Sequence, residues 1–400
     1  MRTSNCSRRE ACQNRREFLR HSLAIAAGAP LLRFGALSAF AAENAPQTIS
    51  RELLANARVA IVPCASYGPG VKPALDKCFD LLGGLRSLVK NKTVTIKLNL
   101  TGTNFQPFLD RPVGETYMTH PDTAVALAKA LFAAGARRVR FVESTQSTSN
   151  LESTLGLADW DVKTLRNLGE VEFENTRNLG KGKSYAHLRV PTGGYMFSTL
   201  DLNHSYEETD VMVSLAKLKN HITAGVTLSM KNLFGLTPNS LYGDEAGNED
   251  ATAGRGPIHN PKDFEKTRLP GLKSGIDSTD PTWRVPRTIV DICAARPIHL
   301  AVIDGITSMK GGEGPWCGGE EKLKFTSPGV IIVGLNPVST DAVGTAVMGY
   351  DNPRAARGIK PFHFCDNHLL LAEQAGLGTA DLSRIDVRGM PIEKARYPYG

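Results

Sequence analysis

The sequence lacks most of the short signatures that announce a chemistry. No C-x-x-C pair occurs, so cysteine spacing supports neither a zinc ribbon nor a ferredoxin-type centre, and no iron–sulfur cluster is expected. There is no G-x-S-x-G, no G-x-G-x-x-G after a clean strand and no phosphate-binding P-loop. The glycines at 311–319 are not followed by the Lys-Ser/Thr that such a loop needs. Internal repeats and low-complexity segments are absent. Excess charge is nearly absent too. The formal +7 includes seven arginines (2, 8, 9, 15, 16, 20, 33) against Glu10 and Glu17 within residues 1–41, a net +5, which leaves +2 for the remainder. That balance argues against nucleic acid or a membrane surface as partner. What is present is a globular composition, 41% hydrophobic and 22% charged over 400 residues, able to bury a sizeable core.

Residues 14–20, Asn-Arg-Arg-Glu-Phe-Leu-Arg, resemble the twin-arginine export signal. The apolar run from Ser22 to Leu32 is too short to span a bilayer as a mature helix, and Ala39-Phe-Ala41 offers a small-x-small cleavage site. The expectation is a signal peptide at 1–41, read by the twin-arginine machinery through residues 14–20. The mature chain, 42–400, is then periplasmic or otherwise exported, with no stable membrane span. Five cysteines remain outside the signal: Cys64, Cys78, Cys293, Cys317 and Cys365. A Cys64–Cys78 bridge and buried single thiols are both open.

From Arg58 onward strands alternate with helices. Candidate strands are 59–62, 93–96, 138–142, 171–174, 210–216, 299–303 and 329–335. Candidate helices are 72–82, ended by Gly83-Gly84, 122–134 after a His120 or Thr119 cap, 150–170, and 287–295. Thr223 is placed to cap a short helix after the strand at 210–216, and Ser339 or Thr340 to cap one running to about Met348. The fold expected is α/β: a mostly parallel sheet flanked by helices, in one lobe or two, with a long irregular insertion at 237–286 rich in Gly and Pro.

Three of these strands end in groups a ligand can use: Lys97 and Asn99; Lys217, Lys219 and His221; and Asp304. In open α/β sheets, ligands sit outside the carboxyl ends of strands. Lysines there suit carboxylate or phosphate. Lys97, Asn99, Lys217, Lys219 and Asn232 are the expected ligand- or cofactor-binding residues. His221, Lys231 and Asp304 are the expected catalytic ones. His221 and His259 are candidate metal ligands through neutral imidazole.

The segments Lys217-Leu-Lys-Asn-His221 and Thr227-Leu-Ser-Met-Lys-Asn-Leu-Phe-Gly235 resemble the signature of an uncharacterised family, domain of unknown function 362. Ile96-Lys-Leu-Asn-Leu100, Asp304-Gly-Ile with Glu313-Gly-Pro315, and Asn336-Pro-Val-Ser-Thr-Asp341 support it. The resemblance covers most of 58–390 and implies a domain rather than an activity. Some relatives carry cysteine-rich iron–sulfur modules whose cysteines are missing here. The ten-residue separation of His221 and Lys231 is also similar to that in the nickel-pincer lactate racemase family, where the Lys holds the cofactor. The next histidine, His259, lies further along than in that family. The resulting expectation is an enzyme acting on a small anionic substrate, with a divalent metal or a phosphate-bearing cofactor, as an isomerase or oxidoreductase. The alternative is a non-catalytic metal- or cofactor-binding accessory protein.

Overall fold

The computed structural model describes residues 56–102, 105–264, 267–318 and 321–400; the export-like motif at 14–20 and the rest of 1–41 lie outside them. In chain order the strands are β1 (Arg58–Pro63), β2 (Thr93–Lys97), β3 (Arg138–Glu143), β4 (Val171–Asn175), β5 (Ala186–Arg189), β6 (Thr199–Leu202) and β7 (Val211–Lys217). They continue with β8 (Asn220–His221), β9 (Gly225–Val226), β10 (Leu300–Gly305), β11 (Ser308–Lys310), β12 (Lys324–Thr326), β13 (Val330–Gly334) and β14 (Asp386–Gly389). Eight of them form one sheet in the order β14-β1-β13-β10-β7-β2-β3-β4. β13 runs antiparallel to both β1 and β10, and the other pairs in this sheet are parallel. Seven strands therefore point one way and β13 alone points back.

Helices cover both faces, as a parallel sheet requires. Leu75 and Phe79 of α1 (Val71–Leu82), with Leu127 and Leu131 of α2 (Pro121–Ala133), pack on Val94, Ile96, Phe141, Val213 and Val302. The other face packs Met212, Ile303 and Ile332 with α3 (Leu228–Asn232), Ile289 of α4 (Pro281–Ala295) and Val343 of α5 (Pro337–Val347). Among the described residues no helix is long and apolar enough to cross a membrane. The five cysteines are free thiols, Cys64 and Cys78 among them.

Several boundaries differ from expectation for physical reasons. Thr223 caps no helix: its N–H and hydroxyl face His221 Nδ1, and Gly225 at φ +76° turns the chain into the β8–β9 hairpin. The helix starts five residues later, at Leu228. Helix α5 is capped by Asn336, whose side chain accepts the Ser339 N–H, rather than by Ser339 or Thr340. Helix α4 begins at Pro281, not Arg287: Asp280 accepts the Thr282 N–H and Pro281 presets the first turn, which together outweigh the break expected at Pro286. The irregular stretch thus ends at 280, and it contains short helices at Asn239–Tyr242 and Gly256–His259.

Candidate functional site

The sheet order explains why distant residues meet. The chain leaves β2 for β3 and β4 on one side, then returns to place β7 and β10 on the other side of β2. Where connections part in this way, a crevice opens at the strand ends. Lys97, Asn99, Lys219, His221, Lys231 and Asn232 line a chamber of about 100 Å3 there, joined by Glu143, Arg255 and Glu313. The chamber shares His221, Lys231, Phe234, Arg255 and Glu313 with an outer space of about 610 Å3, which is also bordered by Ile222, His259, Pro315 and Trp316. Gly102, at φ +82°, lets the Trp316 ring lie against its Cα: a Cβ there would meet the indole at 2.9 Å.

Two of the expected residues are elsewhere. Lys217 and Asp304 are opposite each other in the β7–β10 register and are completely buried. Side chains alternate along a strand. Lys217 shares the parity of Val213 and Leu215, and Asp304 that of Leu300 and Val302, so both point into the layer beneath α1 and α2. Lys97 has the opposite parity to Val94 and Ile96. Lys217 Nζ donates to Tyr67 OH at 2.7 Å and Gly114 O at 2.9 Å, and lies 3.4 Å from Asp304 Oδ2. Asp304 also accepts from Tyr67 OH, Thr123 Oγ1 and the Ile306 N–H. This is a closed buried ion pair outside the chamber, and neither residue reaches a ligand placed there.

The chamber's own cations differ in how far they are committed. Lys97 Nζ pairs with Glu143 Oε1 and donates to Leu98 O at 2.7 Å, while Glu143 also accepts the N–H groups of Leu100 and Ser144. Burial depresses the Lys97 ammonium and raises the Glu143 carboxyl, and their mutual attraction opposes both shifts. Lys219 donates to Tyr117 O and Glu313 O; burial brings its pKa to about 7. Lys231 is different. Its Nζ has no hydrogen-bond acceptor among the described residues and sits 4.5 Å from the centre of the Phe234 ring. Burial, helped by Arg255 and Lys97 and opposed by Glu313, lowers it to about 8. Arg255 gives Nε to Thr237 O and Nη2 to Ser144 Oγ and Asn239 Oδ1, leaving Nη1 without an acceptor among the described residues.

The two imidazoles are complementary. His221 Nδ1 accepts the Thr223 N–H, so in the neutral ring the proton sits on Nε2, 3.9 Å from Glu313 Oε1. Burial and the Lys231 charge push His221 well below its ordinary pKa. His259 is the reverse: Nδ1–H donates to Arg255 O at 2.7 Å, which leaves Nε2 as an acceptor, and burial brings the ring to about 4. Glu313 is held down to about 2: burial would raise it, but His221, the Ile222 N–H and Lys231 overcome that. Although His221 and His259 both border the outer space, no group of three or more His, Cys, Asp or Glu among the described residues is arranged to hold a metal ion.

Helix α3 owes its placement to residues that carry no charge into the chamber. Asp341 of α5 accepts the N–H groups of Ser229 and Met230 and the Ser229 hydroxyl, pinning the first turn. Asn232 Nδ2 reaches Ser214 Oγ and Lys97 O, tying the last turn to β7 and β2. Its Oδ1, like Asn99 Oδ1, is buried without a partner on the chamber wall. Gly235 follows, and a Cβ there would lie 3.0 Å from Lys97 Nζ and 3.3 Å from Glu143 Oε1. Gly235→Ala is expected to cost about 1–3 kcal/mol by crowding this pair, read as a lower urea midpoint at unchanged slope.

Glu143, Arg255 and Glu313 are absent from the sequence-derived set. Glu143 could have been found by the rule that found Lys97, since it ends the next strand. Glu313 lies in the Gly-rich loop and Arg255 in the irregular stretch, where no periodicity marks them.

A family model described as "Domain of unknown function (DUF362)" matches residues 94–346. The thylakoid-associated protein sll1697 of Synechocystis sp. is 26% identical over 289 residues, covering 71% of this chain and 73% of that protein. Every chamber residue named above falls inside the matched span.

Proposed function

The chain belongs to the DUF362 family, whose description carries no activity, and from that premise we propose that it is an enzyme acting on a small anionic substrate. One observation carries the reading: among the described residues of the chamber wall, Lys97, Lys219, Lys231 and Arg255 face two carboxylates, Glu143 and Glu313, so two positive charges are left over when these six are ionised. Buried charge left uncompensated is costly, and an anion entering the chamber removes that cost. Arg255 Nη1 offers the open donor for a carboxylate or phosphate oxygen. His221 Nε2–H is placed to bond a second oxygen, and Lys231 is the group that takes and returns a proton, since its pKa of about 8 gives it both forms near neutrality. Asn99 and Asn232 supply acceptors for substrate hydroxyl or amide protons. The mature chain 42–400, exported through residues 14–20, belongs to the same proposal, which rests on the resemblance of residues 14–20 to the twin-arginine signal.

A second reading, a non-catalytic carrier, is favoured by Lys219, whose ammonium is committed to two carbonyl oxygens as in a rigid binding wall. Calorimetry with pyruvate, lactate and inorganic phosphate tests the binding that both readings share. At least one should bind at pH 7, and Arg255→Met should weaken it about tenfold to a hundredfold, the worth of one charged hydrogen bond. The titratable groups that Lys231 influences or that influence it by charge are Glu313, Arg255, Lys97, Lys219, His221, His259 and His368. Affinity should fall as pH rises from about 7 through about 8, because Lys219 and then Lys231 lose their protons and their charge. Deuterium uptake from D2O into bound pyruvate separates the readings: an enzyme exchanges and loses exchange in Lys231→Arg, whereas a carrier binds without exchange.

A further inference from the structure

Among the lysines near the strand ends, Lys97, Lys217 and Lys219 each donate to at least two oxygens, while Lys231 donates to none among the described residues. An amine kept unpartnered beside other cations, against an aromatic face, is arranged for use as a nucleophile rather than for structure. From this we infer that Lys231 condenses with the carbonyl carbon of a small 2-oxo acid to form an imine. The inference rests on the anion-site reading above and names the substrate class for it.

The chemistry is balanced without an oxidant or reductant. Neutral Lys231 Nζ attacks the carbonyl carbon, the C=O pair moves to oxygen, and one of the two nitrogen protons passes to that oxygen to give the carbinolamine. The hydroxyl takes up a second proton, from water, and leaves as water while the nitrogen lone pair makes the C=N bond of an iminium that keeps the remaining nitrogen proton. The wall supplies what each stage needs. Arg255 Nη1 holds the carboxylate beside the carbonyl, and the Nε2–H of His221, a residue of the chamber wall, is the donor for the oxygen as it develops charge. Phe234 lies under the nitrogen, where its face stabilises the iminium as it does the ammonium. The chamber of about 100 Å3 fits the carboxylate and carbonyl, and the outer space of about 610 Å3 leaves room for the rest of the acid past Trp316. The amine is partly neutral near pH 8, which is consistent with this use.

The test is reductive trapping on the full chain. Pyruvate and sodium borohydride at pH 8 should add one reduced adduct per chain by intact mass, and peptide mapping should place it on Lys231. Lys231→Arg keeps the charge and should abolish the adduct. Arg255→Met keeps the amine and should cut labelling about tenfold at low pyruvate, with recovery at high pyruvate. Lactate, which has the carboxylate without the carbonyl, should bind by calorimetry and protect against labelling. If pyruvate and lactate bind but no adduct forms, or the adduct sits on surface lysines or persists in Lys231→Arg, the imine is refuted and the anion site stands. If neither acid binds and no adduct forms, the imine falls, and the anion site falls with it when inorganic phosphate fails to bind as well.

Discussion

Asp304→Ala is expected to destabilise the protein by about 3–5 kcal/mol, the range for removing one partner of a buried ion pair. The substitution leaves the Lys217 ammonium completely buried with only Gly114 O and Tyr67 OH as acceptors, strips Thr123 of its acceptor and leaves Tyr67 only the Thr307 carbonyl at 3.5 Å. The cost arises from the stranded charge more than from the lost attraction. Pairing the change with Lys217→Met should therefore restore most of the stability, because two apolar groups in that layer desolvate without penalty. Urea denaturation of the two singles and the double measures this directly. The double variant should also bind small anions as the parent does, since neither residue lines the chamber. Loss of binding in a folded double variant would return Asp304 to the site that its position at a strand end suggested.

Lys97→Met is the second large effect, again about 3–5 kcal/mol near neutral pH, because Glu143 is then left buried with only the N–H groups of Leu100 and Ser144. Its pH dependence has a definite sign. Glu143 is raised by burial and held down chiefly by Lys97. Without the ammonium, the folded state holds a proton on Glu143 at pH values where the unfolded chain has released it. The folded state then binds more protons, so stability falls as pH rises. The gap between variant and parent should be small near pH 4 and widen toward pH 7. A gap that is constant across this range would mean that Glu143 does not depend on Lys97 for its charge.

How much of this was legible depends on which physical signal each feature has. Apolar β-branched runs between Gly-marked breaks reveal β1, β2, β3, β7, β10 and β13, because burial on both faces selects for such runs. The alternation of strand and helix carries the parallel sheet, and with it the meeting of the 97–99 and 217–221 segments at one edge. Two things escape. The reversal of β13 leaves no mark on its composition, since it is as apolar as its parallel neighbours. The face to which a strand-end lysine points depends on register against the next strand: Lys97 lies level with Ser214, so Lys217 is three residues further along and turned to the other side. Arg255 was unreadable for another reason. Its side chain is fixed by Thr237, Ser144 and Asn239, contacts that span up to 111 residues and follow no local period. Asp341 closes the Asn336–Asp341 motif, yet its work, holding the start of α3 from across the core, exists only in three dimensions.

What Lys231 and Arg255 share is a donor with no acceptor among the described residues, and a small anion probes it directly. Crystals of the full chain soaked in sodium bromide, with data collected at the bromine edge, would show where an unspecified anion settles. The account predicts an anomalous peak within hydrogen-bonding reach of Lys231 Nζ and Arg255 Nη1, lost in Arg255→Met. Bromide found only at exposed surface cations, with this chamber empty in the parent protein, would contradict it.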